Sequence, residues 1–172
     1  MQCTHRGERM NTRKHALILC VALCVAVACA AGSTAAAQTK NIHSAAQQKH
    51  KELSVKLHIR VNGTTLTATL YDNSSSRALV ELLQKGAVTI DMHDYGNFEK
   101  VGELPVSLPR NDTPTDTDAG DIILYLGKRF VIYYDKNSWN FTPLGKVDGV
   151  TKAELKRILG AGNVTAVLSL AE

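Results

Sequence analysis

Apolar and polar residues alternate without a break over residues 53–61: Leu53, Val55, Leu57, Ile59 and Val61 are interleaved with Ser54, Lys56, His58 and Arg60. Successive side chains of a strand point to opposite faces, so this pattern predicts a half-buried β-strand. Asn62-Gly63 follows and supplies both positive-φ positions of a tight hairpin turn. The return strand covers residues 64–71, with Leu66, Ala68 and Leu70 on one face and Thr65, Thr67 and Thr69 on the other. Residues 72–76 (DNSSS) offer several N-cap side chains. They predict a short helix that buries Leu79, Leu82 and Leu83 and ends near Gly86. Val88, Ile90 and Met92 then alternate with Thr89 and Asp91 as a third strand.

Residues 93–119 break this regularity. They hold Tyr95-Gly96-Asn97-Phe98, Pro105, Pro109, Pro114 and a polar run, and read as a long irregular loop. The aromatic stretch after it, residues 120–147, predicts strands at 121–126 and 129–134 joined at Gly127-Lys128. A short strand at 139–141 and a turn at Gly145 complete the stretch. Thr151 and Glu154 have capping-box spacing and open a helix that buries Leu155, Ile158 and Leu159. Val164, Ala166, Leu168 and Leu170 form a last strand. Strands do not alternate with helices as in a parallel α/β sheet. Mostly short strands with two isolated helices predict a mostly-β fold, a barrel with peripheral helices.

The N-terminal part has a different character. Arg13-Lys14 precede an uninterrupted apolar run of 16 residues, 16–31, short for a membrane span of about 20 residues. Ala35-Ala36-Ala37 satisfies the small-x-small rule for cleavage before Gln38. Residues 1–37 therefore read as an export signal, residues 38–52 as a polar linker and residues 53–171 as the folded domain. All four cysteines (Cys3, Cys20, Cys24, Cys29) lie in the presequence, so the mature chain needs no disulfide. Cys29 follows Ala26-Val27-Ala28, an imperfect lipoprotein box that offers a membrane tether as the alternative to release.

The formal charge of +4 is concentrated in that presequence, which carries +3. The rest is balanced, so no nucleic-acid partner is indicated. Several chemistries are absent from the sequence. There is no Gly-x-Ser-x-Gly elbow, no phosphate loop and no dinucleotide fingerprint, and no cofactor is implied. His43 and His50 alone make a poor metal site, and Asp112, Asp116 and Asp118 do not fit a calcium loop.

Four segments together carry a resemblance: DYGNFEKVGELPVSLPRND, AGDIILYLGKRFVIYY, NSWNFTPLGKV and the terminal GNVTAVLSL. In this order they resemble the bacterial cyclophilin-like domain proteins, small barrels often secreted or membrane-anchored. The resemblance spans nearly all of residues 53–170 and implies a cyclophilin-like closed β-barrel with a helix at each end. It raises peptidyl-prolyl isomerase as one functional class. Cyclophilins polarise the prolyl amide with an Arg beside an apolar pocket, and X–Pro rotation faces a barrier of roughly 18–20 kcal/mol. Their Arg-x-x-x-x-Phe-Met-x-Gln-Gly-Gly-Asp-Phe segment has no counterpart here, and only Arg110 and Arg129 are placed to reach a pocket. The leading expectation is a non-catalytic module that binds a peptide, glycan or small ligand. Its expected lining is Tyr95, Phe98, Glu99 and Lys100 from the loop, with Tyr134 and Trp139 from the aromatic stretch. The competing reading of Phe98 and Trp139 is that they cap the barrel core.

Overall fold

The computed structural model describes residues 50–171. The export signal, the cleavage point before Gln38, Cys29 and most of the linker lie outside them. Nine strands and two helices follow in the order β1 (Glu52–Val61), β2 (Thr64–Tyr71), α1 (Ser74–Leu83), β3 (Val88–Tyr95), β4 (Glu99–Glu103), β5 (Thr113–Thr117), β6 (Asp121–Tyr125), β7 (Arg129–Tyr133), β8 (Asn137–Val147), α2 (Lys152–Leu159) and β9 (Val164–Leu170).

All pairings are antiparallel, and the sheet order is β2-β1-β9-β3-β4-β7-β6-β8-β5. A further pairing of β2 with the end of β8 closes the first eight strands into a barrel. The closing seam depends on Gly145, which pairs with Leu70 of β2 and Ile122 of β6. A Cβ there would sit 2.2 Å from the Thr69 carbonyl oxygen. Gly145 therefore lies inside a strand and lets two backbones approach; the turn expected at this position does not form.

Period two sorts the side chains into an inside and an outside. Leu57, Ile59, Ala68, Leu70, Ile90, Met92, Ile122, Leu124, Phe130, Ile132, Ala166 and Leu168 fill the barrel. Helices close its two ends. Asn73 caps α1 by accepting from the Ser76 amide and donates to Pro143 O at 2.8 Å, beyond the Tyr71 end of β2. At the opposite end, Asn62 in the β1–β2 turn donates to Ile158 O of α2 at 3.0 Å. The capping box of Thr151 and Glu154 forms as the spacing predicts. Leu79 and Leu83 of α1, and Leu155 and Leu159 of α2, complete the core.

The segment 93–119 is not the irregular loop its composition suggests. His93–Tyr95 complete β3, and Gly96 and Asn97 (φ of 58° each) make a hairpin turn into β4. Thr113–Thr117 form β5 and pair with Asn137–Phe141, the first half of β8. Trp139–Phe141 thus belong to an 11-residue strand. Its second half belongs to the barrel, while its first half forms with β5 a two-stranded ribbon beside it.

Candidate functional site

The outer face of β3, β4, β7 and β6 carries three cross-strand rows. Tyr95, Glu99 and Tyr133 form the first. His93, Val101, Val131 and Ile123 form the second. Glu103, Arg129 and Tyr125 form the third. The outward residues of these strands are unusually apolar. Val101, Ile123, Val131 and Tyr133 are buried and gather with Phe141 into a second hydrophobic cluster outside the barrel. Phe141 comes from the ribbon half of β8, and Asn137 and Trp139 share its face by strand alternation.

Between the sheet and this ribbon lies a cavity of about 900 Å³. Its floor is apolar, with Val101, Val131 and Phe141. Its wall includes Tyr95, Glu99, Tyr133 and Trp139. The aromatic rings run as a connected series. Tyr95 meets Phe98 edge-on at 6.1 Å, Phe98 stacks on Tyr133 at 6.2 Å, and Tyr133 meets Phe141 at 5.7 Å. Phe141 meets Tyr125 at 6.1 Å, and the Arg129 guanidinium sits over the Tyr125 ring at 6.0 Å. Such contacts fix ring orientation as well as contributing packing.

Glu99 is the unusual member. It is only 8% exposed, and its Oε2 is buried without a hydrogen-bond donor from the protein. Burial pushes its carboxyl above the ordinary range; the nearby Tyr133 hydroxyl and His93 offset part of this. Burial, followed by the contact with Glu99, pushes the Tyr133 phenol up in turn. The Asn137 amide donates to the Tyr133 hydroxyl at 3.3 Å, which ties the ribbon to this pair.

The six residues expected to form the site divide. Tyr95, Glu99 and Trp139 line the cavity. Trp139 is 64% exposed and Tyr95 60% exposed, so neither caps the barrel core. Phe98 is half-buried behind them, packed on the outer cluster. Lys100 and Tyr134 are not brought to the cavity. Lys100 is the inward neighbour of Glu99 in β4 and Tyr134 follows Tyr133 just past the end of β7, and both point into the α2 end of the barrel. There the fully buried Lys100 ammonium meets Asp94 at 2.8 Å and donates to Gly162 O. The Tyr134 hydroxyl donates to the other oxygen of Asp94, and the Gly162 amide donates to Asp94 at 3.0 Å. Burial pushes the Asp94 carboxyl up, but these hydrogen bonds and the Lys100 charge outweigh it and hold it below the ordinary range. This network is a structural plug.

Val101, Tyr133, Asn137 and Phe141 line the cavity without having been expected from the sequence. The alternation Glu99, Val101, Glu103 carried the signal, once the segment is taken as a strand. Of the two arginines, Arg129 lines the cavity, whereas Arg110 pairs with Asp112 at 53% exposure and is not part of the lining. Among the described residues no three His, Cys, Asp or Glu side chains gather into a metal-holding group.

The family model described as the cyclophilin-like family matches residues 59–169, which is most of the barrel. The chain belongs to the cyclophilin-like family. The cyclophilin-like domain is also similar in structure to the hypothetical protein AF2241 from Archaeoglobus fulgidus. The TM-score is 0.53 at 16% identity, over 73% of this chain and 99% of that one, a likeness of fold alone. No curated protein matches the chain. The barrel is thus the one the four sequence segments imply, and its ligand chemistry rests on the cavity itself.

Proposed function

We propose that the protein is an exported binding module that takes a small ligand or short peptide segment in the outer-face cavity without catalysing a reaction. One observation carries this reading: the cavity combines a large volume, an apolar floor and an aromatic rim with a small number of buried polar groups. Ligand sites commonly span about 300–1,000 Å³ and are lined in this way, and about 900 Å³ lies within that range. The N-terminal pattern of residues 1–37 supports export.

The test is ligand-observed NMR against short peptides, oligosaccharides and small amines. At least one class should bind, and Tyr95→Ala with Trp139→Ala should abolish that binding while leaving the fold intact. Binding unaffected by both substitutions would place the site elsewhere.

Arg129 in the cavity wall favours a second reading, prolyl isomerisation, because it sets a guanidinium beside Val101, Val131 and Phe141. Arg129 already sits over the Tyr125 ring, however, and Glu103 is its register partner in β4. A prolyl-peptide isomerisation assay separates the two: negligible turnover is expected, and turnover that disappears in Arg129→Ala would establish the isomerase.

A further inference from the structure

We infer that the cavity selects a cation, a protonated amine or guanidinium on an apolar stem, which it seats on the Glu99 carboxylate. The inference rests on the binding reading above and adds the class of ligand. Three observations lead to it. Glu99 is 8% exposed, and its Oε2 has no donor among the protein's groups. A buried carboxylate oxygen left in this way costs free energy that an incoming donor recovers. The other wall carboxylates differ: Asp91 accepts from the Thr165 hydroxyl at 2.7 Å, and Glu103 pairs with Lys128 at 3.2 Å. Glu99 alone is prepared for a ligand.

The charge of the wall points the same way. Asp91, Glu99 and Glu103 face a single arginine, Arg129, which lies in the third row while Glu99 lies in the first. Against these three carboxylates stand only Arg129 and the nearby His93, so the wall around Glu99 is richer in acid than in base and disfavours an anion. The rings complete the argument. Tyr95 and Tyr133 flank Glu99 in its own row, and Trp139 stands at the rim. Aromatic faces attract cations, most strongly where water is excluded. A cationic head on Glu99 leaves its stem over Val101, Val131 and Phe141, the apolar floor. Free amines and lysyl or arginyl side chains of peptides share this chemistry.

Trp139 is the single tryptophan of the chain, so its emission reports the rim directly. The experiment titrates the purified protein with phenethylammonium, with the neutral isostere 2-phenylethanol and with the anion 3-phenylpropionate. A parallel arm uses blocked lysine and arginine dipeptides. Phenethylammonium or a cationic dipeptide should perturb Trp139 with an affinity at least about tenfold above the neutral isostere, as a charge-assisted hydrogen bond provides. Glu99→Gln should remove that preference, so that the cationic probes bind no more tightly than the neutral one. Which arm binds more tightly tells a free amine from a peptide side chain. Equal binding of neutral and cationic probes in the wild-type protein, or a preference that survives Glu99→Gln, would overturn the inference while leaving the cavity as a binding site. Absence of binding by every cationic probe would also overturn it, and the broader panel above then decides the binding reading alone.

Discussion

Glu99 and Lys100 are neighbours in sequence and strangers in space. In a strand, consecutive side chains face opposite sides of the sheet, so Glu99 enters the outer cavity and Lys100 enters the barrel. The same alternation separates Tyr133 from Tyr134. Each face holds one buried charged group, and the carboxyls of Glu99 and of Asp94, the partner of Lys100, are shifted in opposite directions. The folded-state pKa of Glu99 is raised above its ordinary 4.5, so the stability linked to its protonation is present below that value. It is lost as pH rises through the raised pKa. The titratable and polar groups nearest it in the cavity are His93 and Tyr95 on β3, Tyr133 on β7 and Asn137 on β8, with Arg129 two rows away. Glu99→Gln should therefore stabilise the protein at pH 7 by about 1 kcal/mol. The gain should vanish below about pH 4, where the wild-type carboxyl is protonated in both states. Urea unfolding at both pH values checks this. Asp94 behaves conversely: its folded pKa lies below 3.8, so its contribution is present above that value and is lost as pH falls through the depressed pKa. Asp94→Asn leaves the Lys100 ammonium buried without its counter-ion and should cost about 3–5 kcal/mol at neutral pH. A loss under 1 kcal/mol would show that the plug contributes little.

At the scale of elements, the decisive piece is the ribbon of β5 with the first half of β8. It converts an outer sheet face into a cavity wall, and it was hardest to read from sequence. Thr113–Thr117 (TPTDT) has a proline and no apolar alternation, because the strand pairs at an edge and buries little besides Thr117. Proline is tolerated on such edge strands, and nothing in the pattern distinguishes it from a polar loop. Strand β4 was missed for a different reason. Its sequence EKVGE shows charged residues at both faces, yet Glu99 and Lys100 are both buried, each by a tertiary partner that local pattern does not contain. Gly96-Asn97 between two runs was a legible turn signal for the β3–β4 hairpin. Where burial is purely hydrophobic and one-sided, as in β1, β2 and β9, alternation was sufficient. Two predictions belong here. Trp139→Ala removes an exposed ribbon side chain and should change stability by no more than about 1 kcal/mol, and the wild-type indole should be open to acrylamide quenching. Gly145→Ala drives a Cβ against the Thr69 carbonyl at 2.2 Å. It should cost about 3 kcal/mol or more, read as a fall in Tm, because the β2–β8 seam cannot widen without opening the barrel.

For the whole molecule, the architecture separates two tasks. The barrel interior and its helices hold the fold, and the outer face with its ribbon is free to present chemistry. The resemblance carried by four ordered segments gave the barrel, since order along the chain constrains topology even where single motifs are weak. It gave less about the site, because the cavity is assembled from strands whose contributions appear only when they are in register. No helix of the described residues is long and apolar enough to cross a membrane. The proposed export rests on the N-terminal segment, and intact-mass analysis of the protein made in cells should find a chain beginning near Gln38; a chain beginning at an acylated Cys29 would indicate a membrane tether instead. The most direct test of the binding account is an amide chemical-shift map recorded with the tightest binder of the ligand panel. Shifts should concentrate on His93, Glu99, Val101, Val131, Tyr133 and Trp139, the outward positions of β3, β4 and β7 with the ribbon. Shifts that instead fall on the helices, or on the β1–β2–β9 side of the barrel, would contradict it.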